Sequence, residues 1–455
     1  MKQRLRRYTA RWVLPVTNAP IRDASVLIDE NGRIAAVGPT TAVPTGESIP
    51  EIDLGEAIVL PGLVNAHVHL DLSFLRGRLE DLAFPDWIAE LLLVKRQAAL
   101  TAEEALTAAR WSCVEAIAAG ITTIATTEDG SAGFHAMIDC GMRGIAYHEV
   151  FGPEPARAVS ALAAARDTIT LLRERETRHV RVGVSPHAPY SVSDALYRAV
   201  AAFAQQEGLP IAAHIAESHD EEDLVTRGAG TFAARLQARG ISTPARARSP
   251  IALLHTTGVL ELAPLLIHCT HADAADTALL AAAGATVAHC PVANARLGHG
   301  IAPIAAFHES GVGVAIGTDS VASNNRLDLF EEARFAQMLQ RAFLGDATLL
   351  SAERLLRMIP IDGARALGLD ARIGSLETGK DADLCCVSLR PPHARPLHDP
   401  LAALFHSARA SDVCLTVVAG RALYTDGVWH TVDIEETQRA VEEFAARVTA
   451  PTHAL

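Results

Sequence analysis

Between residues 63 and 318, short apolar runs alternate with Ala- and Leu-rich stretches eight times, and this alternation constrains the fold more than any other feature of the chain. The apolar runs predict strands near 63–70, 121–126, 144–150, 180–185, 210–215, 265–269, 285–289 and 312–318. Between them, stretches such as 102–119, 194–207 and 273–283 have the composition of helices rather than of low-complexity linkers. Eight such units are the count for a closed parallel (β/α)8 barrel of the TIM type, in which catalytic groups gather at the C-terminal ends of the strands.

Five potential metal ligands fall at those ends: His67, His69, His214, His268 and Asp319. Alternate side chains of a strand share a face, so the two imidazoles of His67-Val68-His69 point the same way and form a two-toothed clamp. His214, His268 and Asp319 each close their own apolar run where strand gives way to loop. Imidazole nitrogens plus a carboxylate suit one divalent ion, Zn2+ or else Fe2+, with a position left open for water.

Both flanks read as β structure. Residues 25–38 hold two apolar runs across Asn31-Gly32, a dipeptide that favours a tight hairpin because both residues tolerate positive φ. Near the other end, 384–387 and 413–418 read as strands and 423–429 as a second hairpin. The expected organisation is therefore α/β: residues 1–61 and 373–455 together form a small β-sandwich domain, and residues 62–372 form the barrel. Ile434, Val441, Phe444 and Val448 recur at roughly helical spacing and predict a terminal helix.

Composition excludes several classes. Of the 455 residues, 49% are hydrophobic and 20% charged, too apolar for disorder and sufficient for a large core. A net charge of -13 argues against nucleic acid or an anionic membrane as a partner. The basic start is followed by an apolar run too short and interrupted for a signal peptide, and no later run spans a bilayer, so a cytoplasmic protein is expected. The seven cysteines show no paired Cys-x-x-Cys spacing and read as reduced core thiols.

Asn65-Ala66-His67-Val68-His69, His214-Ile215-Ala216-Glu217-Ser218, His268-Cys269-Thr270-His271 and Gly317-Thr318-Asp319-Ser320 together resemble the metal motifs of the amidohydrolase superfamily. They look most like its branch of nucleoside and nucleobase deaminases with related triazine hydrolases. Gly374 to Asp383 is similar to the segment leading into that family's C-terminal sheet, so the resemblance covers nearly the whole chain. It implies His67, His69, His214 and Asp319 as metal ligands, with His268 beside the metal. Dinuclear relatives bridge two metals with a carboxylated lysine, but the only lysines here are Lys2, Lys95 and Lys380, and the fourth strand ends Ser185-Pro186-His187. One metal, rather than a lysine-bridged pair, is expected.

The chemistry implied is hydrolytic deamination. A zinc-type ion lowers the pKa of water to about 7. Addition to a C–NH2 carbon of a heteroaromatic ring then needs a proton on the ring nitrogen. Glu217, three residues beyond His214, is the expected acid/base; Asp319 would take the water's proton and His268 would stabilise developing charge.

His187 resembles a position near the substrate's sugar, while Arg76, Phe84 and Trp87 could cover a planar ring. The strings around Phe74-Leu75-Arg76-Gly77 and 289–300 most resemble aminodeoxyfutalosine deaminases of an alternative menaquinone route, and also adenosine-type and S-adenosylhomocysteine deaminases. A benzoate-bearing substrate would call for Arg76, Arg143 or Arg296. An adenine-bearing nucleoside is the leading expectation, with a homo-oligomeric enzyme. Deamination of a free base such as guanine, 8-oxoguanine or cytosine, triazine hydrolysis, and a non-catalytic barrel are the alternatives.

Overall fold

Strands Leu63–Val68, Ile121–Glu128, Arg143–Val150 and Val180–Pro186 pair in parallel, as do Ala212–Ile215, Leu265–His268, Thr286–His289 and Gly313–Ile316. The computed structural model describes residues 5–447. A bridge between Val184 and Ile211 joins the two runs of four. The ring closes where Thr318 and Asp319 donate their N–H groups to the His67 carbonyl, at 3.1 and 3.0 Å. All eight expected barrel strands are present. Every residue of Ile121–Glu128 and Arg143–Val150 is buried, as expected for strands covered on both faces.

The helices begin where the sequence supplies caps. Ala102–Ala118 opens with a reciprocal Thr101/Glu104 capping box and Ala274–Ala283 with an Asp273/Asp276 one, while the Ser193 side chain caps Asp194–Glu207. Strand eight stops at Ile316, short of the expected 318, because the backbone turns toward strand one. Gly317 permits that approach: a Cβ there would lie 2.9 Å from the His67 nitrogen and 3.1 Å from the Cys290 sulfur.

Both ends of the chain enter one nine-stranded sheet. Strand Ala57–Pro61 pairs with Arg6–Val13 on one side and Leu384–Ser388 on the other. Tyr8, Val26, Val59, Leu384, Cys386 and Val417 from both halves fill a single apolar cluster. The first hairpin forms between Ile21–Ile28 and Ile34–Pro39, but its turn differs from the expected one: only Gly32 has positive φ, and the Asp29 carboxylate accepts the N–H groups of Asn31 and Arg33. The side chain of Asp29 thus organises a longer loop. A turn with both central residues left-handed occurs instead at Asp426-Gly427, between Arg421–Thr425 and Val428–Trp429.

The terminal helix is Ile434–Ala445, and it packs on the barrel through a Phe74–Phe444 ring contact at 6.2 Å; Val448 lies outside the described residues. At the opposite pole, fully buried Arg143 at the start of strand three is bound by Asp381 at 3.0 Å and Asp383 at 2.8 Å. This bond links the base of the barrel to the C-terminal segment, and Arg143 is therefore structural and does not meet substrate.

Candidate active site

His67, His69, His214, His268 and Asp319 meet above the C-terminal ends of strands one, five, six and eight. Asp319 Oδ1 is 3.3 Å from His67 Nε2 and 3.6 Å from His69 Nε2. Ring centroids of His67 lie 4.9 Å from both His69 and His214. Both ring nitrogens of His67 and Nδ1 of His214 are buried without a hydrogen-bond partner. Burial pushes the His67 and His214 imidazoles below their ordinary range and His69 to about 4, so they stand neutral with lone pairs available. Orphaned imidazole nitrogens around a carboxylate are the donor set that a divalent cation satisfies.

Outer partners hold the set in place. Asn65 donates to Thr318 Oγ1 at 2.8 Å and accepts the Thr318 N–H at 3.0 Å, tying the His67 strand to the Asp319 turn. Ser323 donates its hydroxyl to Asp319 Oδ2 at 2.8 Å, and the Ser320 N–H donates to Oδ1 at 2.6 Å. Burial raises the Asp319 carboxyl, but the neighbouring histidines outweigh it and hold the group well below the usual carboxylate range. His268 and Asp319 both sit at positive φ, 74° and 57°, a backbone cost typical of functional positions. Asn294, 2.8 Å from His268 Nδ1, is the partner that orients this ring, whereas His271 packs against His219.

Glu217 is buried in the same pocket. Its Oε1 is 3.4 Å from His268 Nε2 and 3.2 Å from His299 Nε2. Burial raises its pKa, but His268 and the hydrogen bond from His299 lower it further, leaving it below the usual value. Glu221 fixes the turn by accepting the N–H groups of Ala216 at 2.7 Å and Glu217 at 3.2 Å. Its own carboxyl is pushed up to about 8 by burial and by the charge of Glu217. Sequence reasoning missed Glu221, although Ser218-x-x-Glu221 has the spacing of a helix start and Ser218 does cap helix His219–Arg227. His299 carried no comparable signal.

A cavity of about 500 Å³ opens onto these groups. His69, His187, His214, Glu217, His268 and Asp319 line its floor; Phe84, Trp87, Tyr190 and Phe232 line its wall. His187 and Trp87 thus reach the cavity as expected. Arg76 does not: its guanidinium is held by Glu115 and the Asn325 carbonyl, and Arg296 is likewise held by Glu80 and the Ser323 carbonyl. Acidic partners on the rim capture both. The cations that do line the cavity are Lys95, 3.5 Å from both Asp71 and Asp129, together with Arg235 and Arg239. Glu149, also on the floor, is raised well above the ordinary carboxyl range by burial and lies 3.8 Å from His214 Nδ1.

The chain is 34% identical over 429 residues to a 5-methylthioadenosine/S-adenosylhomocysteine deaminase of Moorella thermoacetica, covering 93% of this chain and 95% of that one. Its structure is similar to that of an adenosine deaminase from Xanthomonas campestris with bound zinc, with a TM-score of 0.86 and 28% identity, over 97% of this chain and 98% of that one. The Helicobacter pylori aminofutalosine deaminase shares the fold, with a TM-score of 0.78 at 19% identity over 92% and 99% of the two chains. The sequence profile of the amidohydrolase family matches residues 58–423. The chain belongs to the amidohydrolase family.

Proposed function

We propose that this protein is a metal-dependent aminohydrolase that releases ammonia from the adenine ring of a nucleoside. The observation that carries the reading is Glu217: a buried carboxylate, outside the ligand set, facing both the cavity and the imidazole of His268. His67, His69, His214 and Asp319 would hold the ion, and Zn2+ is the proposed metal, because three imidazoles and a carboxylate suit it and the similar adenosine deaminase binds zinc. The bound ion would supply a water acidic enough to attack at neutral pH. Asp319, held below the usual carboxylate range, accepts that water's proton. Glu217, ionised at rest, takes up one proton of the attacking water and delivers it to the ring nitrogen as the oxygen adds, and the proton held by Asp319 leaves with the ammonia. His268, fixed by Asn294, orients the attacking oxygen.

The cavity volume is in the range of sites that enclose a drug-sized ligand, which favours a nucleoside carrying a 5′ substituent over a free base. The relatives' thioether nucleosides fit that description. A benzoate-bearing nucleoside would have to draw Arg235 or Arg239 away from their partners Asp86 and Glu154, since Arg76, Arg143 and Arg296 do not line the cavity. In the same proposal, residues 62–372 carry the chemistry, residues 1–61 and 373–455 brace it, and the enzyme is a cytoplasmic homo-oligomer. Exposed Met338, Phe343 and Leu344 on helix Leu329–Leu344 support self-association, and no described helix is long and apolar enough to cross a membrane. The test is ammonia release from methylthioadenosine, S-adenosylhomocysteine, adenosine, aminodeoxyfutalosine, guanine and cytosine. Turnover is expected with the adenine nucleosides, and turnover confined to a free base would overturn the reading.

A further inference from the structure

Outside the cavity, a second group of ligand-type side chains meets on the surface. His219 and Glu222 lie on the first turn of helix His219–Arg227, and His271 follows strand six; their donor atoms all lie within 4.8 Å of one another. The His219 and His271 rings are 4.0 Å apart, and His219 Nδ1 is 3.3 Å from Glu222 Oε2.

We propose that His219, Glu222 and His271 form a second, solvent-facing site for a transition-metal cation of the zinc class. A surface ion pair accounts for His219 and Glu222 but not for His271. The His271 ring hydrogen-bonds a backbone group of His299, whereas its Nε2 is buried and has no partner. A ring fixed through one nitrogen with the other left bare is the arrangement that metal-ligating histidines adopt. Burial, and next the charge of His219, push this imidazole down to about 4, so no proton competes for the lone pair at neutral pH.

The backbone is held as well, because the His271 N–H donates to the Ala216 carbonyl at 2.9 Å. The His219 side chain is 80% exposed, which gives a cation its route in. The positive end of the helix dipole opposes a cation here, but Asp220 and Glu222 occupy the same turn and offset it. Two imidazoles and one carboxylate select zinc over magnesium or calcium, which prefer oxygen donors. A cation in this place bridges the loops that carry Glu217 and His268.

The test is calorimetric titration of Zn2+ into protein whose buried ligand set is already loaded. Wild type is expected to take up one further zinc per chain and to give no response to Mg2+. His219→Ala and Glu222→Gln should each weaken that uptake more than about tenfold, beyond the lower end of what loss of an outer partner costs. His255→Ala, which breaks a separate surface pair with Glu261, should leave it unchanged. No uptake by wild type, unaltered uptake by His219→Ala and Glu222→Gln, or an equal loss in His255→Ala would each overturn the site. Because the readout is binding, its failure is distinct from failure of the deaminase reading.

Discussion

Glu217 and Asp319 are both buried carboxylates beside imidazoles, yet their surroundings prepare them for different tasks. Asp319 receives the Ser323 hydroxyl and the Ser320 N–H, a fixed and strongly ionised group facing His67 and His69. Among the described residues, the Glu217 carboxylate pairs with the imidazoles of His268 and His299, and it can exchange a proton with a ring nitrogen in the cavity. Glu217→Gln keeps the size and removes the transferable proton. Its kcat should fall on the order of 10²- to 10⁴-fold while bound metal and thermal midpoint stay at wild-type values. Asp319→Ala should lose metal and activity together. The check is ammonia release, elemental analysis and melting on the same preparations, and a Gln variant with more than about a tenth of wild-type kcat at full metal occupancy rejects the role. The clustering of His67, His69, His214, His268 and Asp319 was legible because imidazoles and a carboxylate at strand ends have few other uses. Arginines were not, since any arginine on a rim can find an acid: Arg76 found Glu115 and Arg296 found Glu80.

At the scale of elements, the helix Phe84–Ala98 covers the cavity. Phe84 stacks on Trp87 at 6.3 Å and meets the His299 ring edge-on at 4.5 Å, so the cover touches the histidine that holds Glu217. Trp87 Nε1 is buried without a partner and its ring lines the cavity, a surface suited to an adenine face. Trp87→Ala should raise KM about tenfold, the equivalent of ~1.4 kcal/mol, with a smaller change in kcat because Glu217 and the ligands keep their places. Steady-state kinetics on the best substrate of the panel decides it, and a fall in kcat at constant KM would falsify a purely binding role. Most elements could be read from the chain: apolar runs gave strands, and stretches of helical composition gave the helices Ala102–Ala118, Asp194–Glu207 and Ala274–Ala283. The Asn31-Gly32 turn was misjudged because the Asp29 side chain, two residues before Asn31, competes for the turn's N–H groups.

At the scale of the whole molecule, the barrel and the sheet that embraces it were visible as alternation and flanking hairpins, but not the bond between them. Arg143 and Asp383 lie 240 residues apart, and nothing in local sequence pairs them. Arg178 and Arg372 add bonds to Asp381, each at 2.7 Å. Burial raises the Asp381 pKa, but Arg143, Arg372 and Arg178 together outweigh it, so the carboxyl sits below its ordinary value. Removing Arg143 leaves buried carboxylates facing an apolar side chain, and breaking a buried pair in this way costs about 3–5 kcal/mol. Arg143→Met should therefore melt well below wild type at pH 7 with the active-site residues unaltered. The pH dependence has a definite sign. A carboxylate with a depressed folded pKa contributes stability above its unfolded value, about 3.9, and loses it as pH falls through the folded value. The gap in melting temperature between wild type and Arg143→Met should thus be widest near neutrality and narrow below about 4, where the variant's buried acids, no longer held down by the guanidinium, take up protons and need no partner. Melting both proteins from pH 7 down to pH 3.5 tests this, and a gap that is constant or widens in acid would show that Arg143 acts by packing rather than by charge.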